Sequence, residues 1–94
     1  MATIGNGTPA DNTLLILDDD EAVANTAKII AKLAGFDVHT SLRAQDFFNE
    51  LEQWKPACVI LDLAMPDMDG LQILHRLSEL DYPGRIIISS GLGQ

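Results

Sequence analysis

Apolar and polar positions fall along this chain in blocks of two periods. Leu14 to Leu17 is an unbroken apolar run, as expected of a strand covered on both faces. It stops on three acids in a row, Asp18, Asp19 and Asp20. From about Glu21 to Ala34 the apolar residues recur at helical spacing, with Val23, Ala27, Ile30 and Ala34 on one face. Acids crowd the first turn of this helix, where they suit its dipole. Asp19 or Asp20 is placed to cap it, and Gly35 supplies the C-terminal stop. Phe36 to Thr40 predicts a short second strand. Ser41 reads as the N-cap of a second helix over Ala44 to Gln53, with Ala44, Phe47, Phe48 and Leu51 on one side and Trp54 and Pro56 closing it. Ala57 to Leu61 is a third apolar strand, bounded by Asp62 and followed by a loop with Pro66 and Gly70. Leu71, Ile73, Leu74, Leu77 and Leu80 then mark a third amphipathic helix. Pro83 and Gly84 make a turn. Arg85 to Ile88 is a fourth strand, ending at Ser89 and Ser90.

Strands that alternate with helices in this way predict an α/β fold, a parallel sheet with helices on both faces and right-handed crossovers. The 94 residues hold one domain. Met1 to Asn12 is polar, aperiodic and carries Gly5, Gly7 and Pro9, so residues 1–12 are expected to be a flexible leader and residues 13–94 the domain itself. Hydrophobic residues make up 47% of the chain, enough for a packed core and too much for a disordered segment.

Charge narrows the function. A formal charge of −8 argues against direct nucleic-acid contact by this segment, because phosphate backbones need clustered Lys and Arg; it is compatible with binding a cation. No apolar run approaches the ~18 residues of a membrane helix, and no basic-then-apolar signal pattern opens the chain, so a cytoplasmic location is expected. Cys58 is the single cysteine, which rules out an internal disulfide. A thiol nucleophile competes there with a small apolar residue in a buried strand, and the second reading is preferred. His39 and His75 stand on separate elements and are read as surface or boundary residues.

Parallel strands end at one edge of their sheet, and open α/β sheets carry their chemistry just beyond that edge. Asp18 and Asp19 end the first strand, Asp62 the third and Ser90 the fourth. If the first and third strands are neighbours, three carboxylates converge beside a hydroxyl. Carboxylates this close raise one another's pKa, and a divalent cation relieves the repulsion. All-oxygen ligation suits Mg²⁺, with Mn²⁺ able to replace it; no His or Cys cluster suggests zinc. A carboxylate beside such a cation can attack a phosphoryl group and form an acyl phosphate, and most of what is left to the protein is positioning. Capping explains acids after one strand, but not acids at two strand ends with a hydroxyl at a third.

LLILDDDE, VILDLAMPDMDG and RIIISSG, in this order and spacing, resemble the three signature stretches of the receiver domain of two-component response regulators. The likeness runs from Leu14 onward. It implies a flavodoxin-like fold, a three-layer parallel sheet with strand order 2-1-3-4 for the strands present. It also implies that Asp62 is the phospho-acceptor, that Asp19 and Asp62 bind Mg²⁺ directly, that Asp18 acts through a water and that the backbone carbonyl of Ala64 is a further ligand. Ser90 would hydrogen-bond the phosphoryl group, and Gly91 matches a position kept small so that this group can approach. Pro66 and Gly70 shape the loop after the acceptor, while Ala64 and Leu92 fall where the family varies the lifetime of the phosphorylated state.

One departure matters. Receiver domains carry a fifth strand ending in a Lys that pairs with the phosphoryl group, with helices on either side of it. Lys28, Lys32 and Lys55 belong to earlier helices and none matches that position. The sequence therefore reads as an incomplete receiver, a piece of a longer regulator, with a naturally short receiver as the alternative. Its partners by resemblance are a sensor histidine kinase or His-phosphotransfer protein and an output domain outside this chain. The apolar fourth strand, left as a sheet edge, predicts a homodimer through the fourth-strand and third-helix side. The expected function is a phosphorylation switch and not a turnover enzyme. Two alternatives stand beside it. One is a phosphorylation-independent interaction module, marked by cation binding without phosphorylation. The other is a Mg²⁺-dependent aspartyl phosphohydrolase of the haloacid-dehalogenase type, which usually carries a second acid where this chain has Ala64 and needs a cap that 94 residues leave no room for.

Overall fold

A computed structural model of the chain describes residues 12–63 and 70–89. Its elements alternate as the pattern predicts. They are β1 (Thr13–Leu17), α1 (Glu21–Leu33), β2 (Asp37–Ser41), α2 (Ala44–Trp54), β3 (Cys58–Asp62), α3 (Gly70–Glu79) and β4 (Arg85–Ser89). The four strands are parallel and lie in the order β2-β1-β3-β4. This is the α/β flavodoxin-like arrangement. β1 is central and buried at all five positions, which is why its run carries no polar alternation.

Side chains of successive strand residues point to opposite faces, and two cores result. On one face Leu15, Leu17, Val59 and Leu61 pack under Phe47, Phe48 and Leu51 of α2 and Ile73 and Leu77 of α3. On the other, Leu14, Ile16 and Val38 pack with Ala27 and Ala31 of α1, next to Cys58 and Ile60. Among the described residues Phe47 is the largest side chain with no exposed surface. The Phe48 ring meets Phe47 edge-on at 5.1 Å and carries the Arg76 guanidinium 4.3 Å above its centroid, a cation–π contact joining α2 to α3.

Several expected details come out differently. The sheet-facing side of α1 is Ala24, Ala27 and Ala31, not the Val23, Ala27, Ile30, Ala34 stripe: Val23 is 50% and Ile30 63% exposed. Small side chains let the helix lie close to β1 and β2, and the larger ones are turned away. Ser41 is not a helix cap. It is the buried last residue of β2, paired with Leu17, and Arg43 takes the N-cap position of α2 without a side-chain cap bond. Leu71 and Leu80 are mostly exposed, Leu80 beyond the end of α3. The apolar residues of β4, by contrast, are exposed as expected of a sheet edge. Asn12, assigned to the leader, donates its side-chain amide to the Gly35 carbonyl at 2.9 Å.

Gly70 opens α3 against the residue that follows β3. A β-carbon placed on it would stand 2.7 Å from the Leu63 Cα, so the backbone just past Asp62 would have to shift. Gly70→Ala is expected to lower stability by about 1–3 kcal/mol. It should also weaken divalent-cation binding at the neighbouring acids. Urea unfolding and Mg²⁺ titration of the same variant check both parts.

Candidate functional site

The C-terminal edge of the sheet gathers the acids. Leu17 pairs with Leu61 across β1 and β3, so the next residues, Asp18 and Asp62, emerge side by side. With Asp19 they form a group in which one carboxylate oxygen from each lies within 4.8 Å of the others. Asp18 is buried, Asp62 half-buried and Asp19 exposed, which gives the cluster one wall in the protein and one open to solvent.

Short backbone ties hold this arrangement. The Asp18 N–H donates to the Ser41 carbonyl at 3.1 Å, hanging the acid loop from the end of β2. Asp18 Oδ1 accepts from the Asp20 N–H at 2.9 Å. Asp20 Oδ1 in turn accepts from the N–H groups of Ala22 and Val23 and is the N-cap of α1. The three consecutive acids thus divide their work: Asp20 caps the helix, while Asp18 and Asp19 face the Asp62 side. On the other flank the Leu63 N–H donates to the Ser89 carbonyl at 3.3 Å, fixing the exit of β3 to the end of β4.

Electrostatics agree with the geometry. Burial first, then the charge of Asp62, a hydrogen bond to Asp62 and the charge of Asp19 push the Asp18 carboxyl above the usual carboxylate range; the Asp20 amide pulls the other way. A group of carboxylates in this state suits a hard divalent cation. The donors are all oxygen, close enough to share one ion, and their mutual repulsion is what a cation offsets.

Of the site residues expected from sequence, the structure brings together Asp18, Asp19 and Asp62. Ala64, Pro66, Ser90, Gly91 and Leu92 lie outside the described residues. Ser89, the residue before Ser90, pairs with Asp62 across β3 and β4. The sequence reading missed the Ser41 carbonyl, which carries no side-chain signal. It also missed the contact of Gly70 with Leu63, whose only trace is a glycine at the first helical position. Among the described residues no helix is long and apolar enough to cross a membrane.

Comparison with known proteins places this edge in context. The profile of the response regulator receiver domain matches residues 14–94. The response regulator protein TmoT of Ectopseudomonas mendocina is 35% identical over 83 residues, covering 88% of this chain and 38% of the relative. The transcriptional regulatory protein SrrA of Staphylococcus aureus is 31% identical over 68 residues, covering 72% of this chain and 28% of the relative. The chain thus spans less than two fifths of the length of these relatives. Among solved structures, a signal receiver domain from Bermanella marisrubri superposes with a TM-score of 0.82 at 30% identity, over 87% of this chain and 70% of that one. A CheY-like receiver domain from Methylobacillus flagellatus gives 0.80 at 26% identity, over 85% and 70%.

Proposed function

The chain belongs to the receiver domain family of two-component response regulators, and from that premise we propose that it accepts a phosphoryl group on Asp62 from a phosphohistidine of a sensor kinase or phosphotransfer protein. The observation that carries this reading is the Asp18, Asp19 and Asp62 cluster at the ends of β1 and β3. Asp62 closes β3 and is half-open to solvent, so a donor can reach it, and the family resemblance, not exposure, sets it apart from the more exposed Asp19.

Asp62 and Asp19 would hold Mg²⁺ directly, Asp18 through a water, and the Ala64 carbonyl would complete the protein's share. When bound, the cation offsets charge on the phosphoryl oxygens. The chain's own residues do the rest. The Asp62 carboxylate attacks phosphorus, the phosphorus–nitrogen bond to the donor imidazole breaks, and an acyl phosphate remains on Asp62. Ser90 follows β4 directly and would donate a hydrogen bond to a phosphoryl oxygen, with Gly91 leaving room for it. The Leu63 and Ser89 tie gives that event a path into β4 and α3, where contacts with an output domain would change. The partly exposed isoleucines of β4 support self-association through its side of the sheet as part of that response.

Beryllium trifluoride, a tetrahedral stand-in for the phosphoryl group once bound to a carboxylate oxygen, tests the acceptor. With Mg²⁺ present, fluorine NMR is expected to show bound fluoride resonances for the native chain and none for Asp62→Asn. Bound resonances that persist in Asp62→Asn would place the acceptor elsewhere. Their absence from the native chain, with Mg²⁺ binding intact, would favour a phosphorylation-independent interaction module.

A further inference from the structure

The chain carries 6 Lys and Arg residues against 14 Asp and Glu, and the fold distributes the cations unevenly. Lys28 and Lys32 lie beyond the middle of α1. Lys55 follows the last turn of α2, and Arg76 is held over the Phe48 ring. Arg85 opens β4 beside Cys58, the first residue of β3, and so stands at the edge of the sheet opposite the acids. Arg43 is the one cation of the chain at the edge where the acids gather.

The ladder that holds the acids also fixes the place of Arg43. Ser41 pairs with Leu17, and its carbonyl accepts from the Asp18 N–H. Arg43 comes two residues later with an extended backbone, and its carbonyl accepts from the Phe47 N–H as α2 begins. Two extended residues span at most about 7 Å and neighbouring strands lie about 4.8 Å apart, which keeps the Arg43 backbone within roughly 12 Å of Asp18 and roughly 17 Å of Asp62. The residue is exposed. Its side chain makes no cap bond to α2 and no ion pair among the described residues.

We propose that Arg43 is a positioning residue that draws the phosphoryl end of an anionic donor toward Asp62, a role that rests on the acceptor reading of Asp62 given above. The acids suited to a cation also repel the donor. Three carboxylates outweigh the charge of one divalent ion, and Asp20, Glu21 and Asp46 add to the same edge. An exposed guanidinium at the rim counters this repulsion while the donor approaches. It acts through charge, so a lysine serves in its place.

Acetyl phosphate and phosphoramidate test this on the 94-residue chain with Mg²⁺ present. With either donor the Asp62 carboxylate attacks phosphorus, the bond to the acetate oxygen or to the ammonia nitrogen breaks, and the leaving group departs with the electron pair. Acetyl phosphate is a dianion; phosphoramidate, protonated on nitrogen, is a monoanion overall. At low ionic strength the second-order rate constant for acetyl phosphate, followed by intact mass, is expected to fall about threefold in Arg43→Gln and about tenfold in Arg43→Glu. The rate at saturating donor should not change. Arg43→Lys should keep the native rate constant. The loss in Arg43→Gln should be smaller with phosphoramidate and should disappear at high salt. Lys55→Gln removes the same charge from the far end of α2 and should leave the rate constant unchanged. An undiminished rate in Arg43→Glu would overturn the proposal. So would a loss that persists at high salt, that is as large for the monoanion, or that Lys55→Gln reproduces. A native chain that takes no phosphoryl group from either donor would overturn the acceptor reading, and the role of Arg43 with it. If Arg43→Glu folds poorly, the comparison of Arg43→Gln with Arg43→Lys decides the matter.

Discussion

Asp18→Asn is expected to make the cation-free protein more stable and the cation-bound form harder to reach. The sign follows from the direction of the pKa shift. The Asp18 carboxyl titrates above its ordinary value in the folded chain, so between 3.8 and its raised folded value the native state binds more protons than the unfolded state. Stability of the cation-free fold therefore falls as pH rises through that window, and above it the ionised carboxylate carries its full penalty. Asn removes the charge while its Oδ1 can still accept from the Asp20 N–H. The gain should be about 1 kcal/mol at pH 7, or about 5 °C in melting temperature for a chain of this size, and should shrink as the pH is lowered toward 4. Mg²⁺ affinity should fall by about tenfold or more, as when a group that orients a metal's ligands is lost. Calorimetric melting with and without Mg²⁺ reads both effects. A variant less stable than the native chain in the absence of cation would contradict this account of Asp18.

Phe47→Ala should have the largest effect on the fold. Phe47, on α2, is fully buried and belongs to the larger core. Its truncation removes transfer free energy and leaves a cavity, at a cost of about 3–5 kcal/mol. A domain of this size has roughly 5–15 kcal/mol in total, and the exposed isoleucines of β4 argue for the lower part of that range. The urea midpoint should drop by about 2–3 M at unchanged slope. A drop below 1 M would mean that the α2 side of the sheet is not the main core.

These two residues show how much of the molecule the sequence carries. Phe47 is legible because Ala44, Phe47, Phe48 and Leu51 make one clear stripe, and all four are buried. β1 and β3 are legible because each apolar run stops on an acid, and the same stops mark Asp18, Asp19 and Asp62. Resemblance supplied the neighbour relation of β1 and β3, which periodicity cannot give. α1 was misread for a physical reason: it has two apolar stripes, one of alanines and one of larger residues. Hydrophobicity ranks the larger above the smaller, yet close approach to the sheet selects the alanines. Ser41 was misread because its polar side chain suggested a cap, whereas its role lies in its backbone carbonyl. The partnership of His39 with Glu50 and Trp54 joins a strand to a helix eleven or more residues on, beyond the reach of any local pattern.

The outward stripe of α1 lies on a surface that the sequence pattern alone would have buried, whereas the exposed residues of β4 lie where a sheet edge is expected. Val23, Ile30, Ile86, Ile87 and Ile88 are each at least 39% exposed. Solved receiver domains that superpose on this chain extend beyond the matched part, and the curated relatives extend further still. The three acids of the cation site follow or close β1 and β3, and their backbone ties run to Ser41 at the end of β2 and Ser89 at the end of β4.

The measurement that bears most directly on the central claim is intact mass after incubation with Mg²⁺ and acetyl phosphate, run beside Asp62→Asn and beside an EDTA control. The account predicts a gain of one phosphoryl group in the native chain, abolished by the substitution and by the chelator. No gain in a native chain that still binds Mg²⁺, or a gain that survives Asp62→Asn, would contradict it.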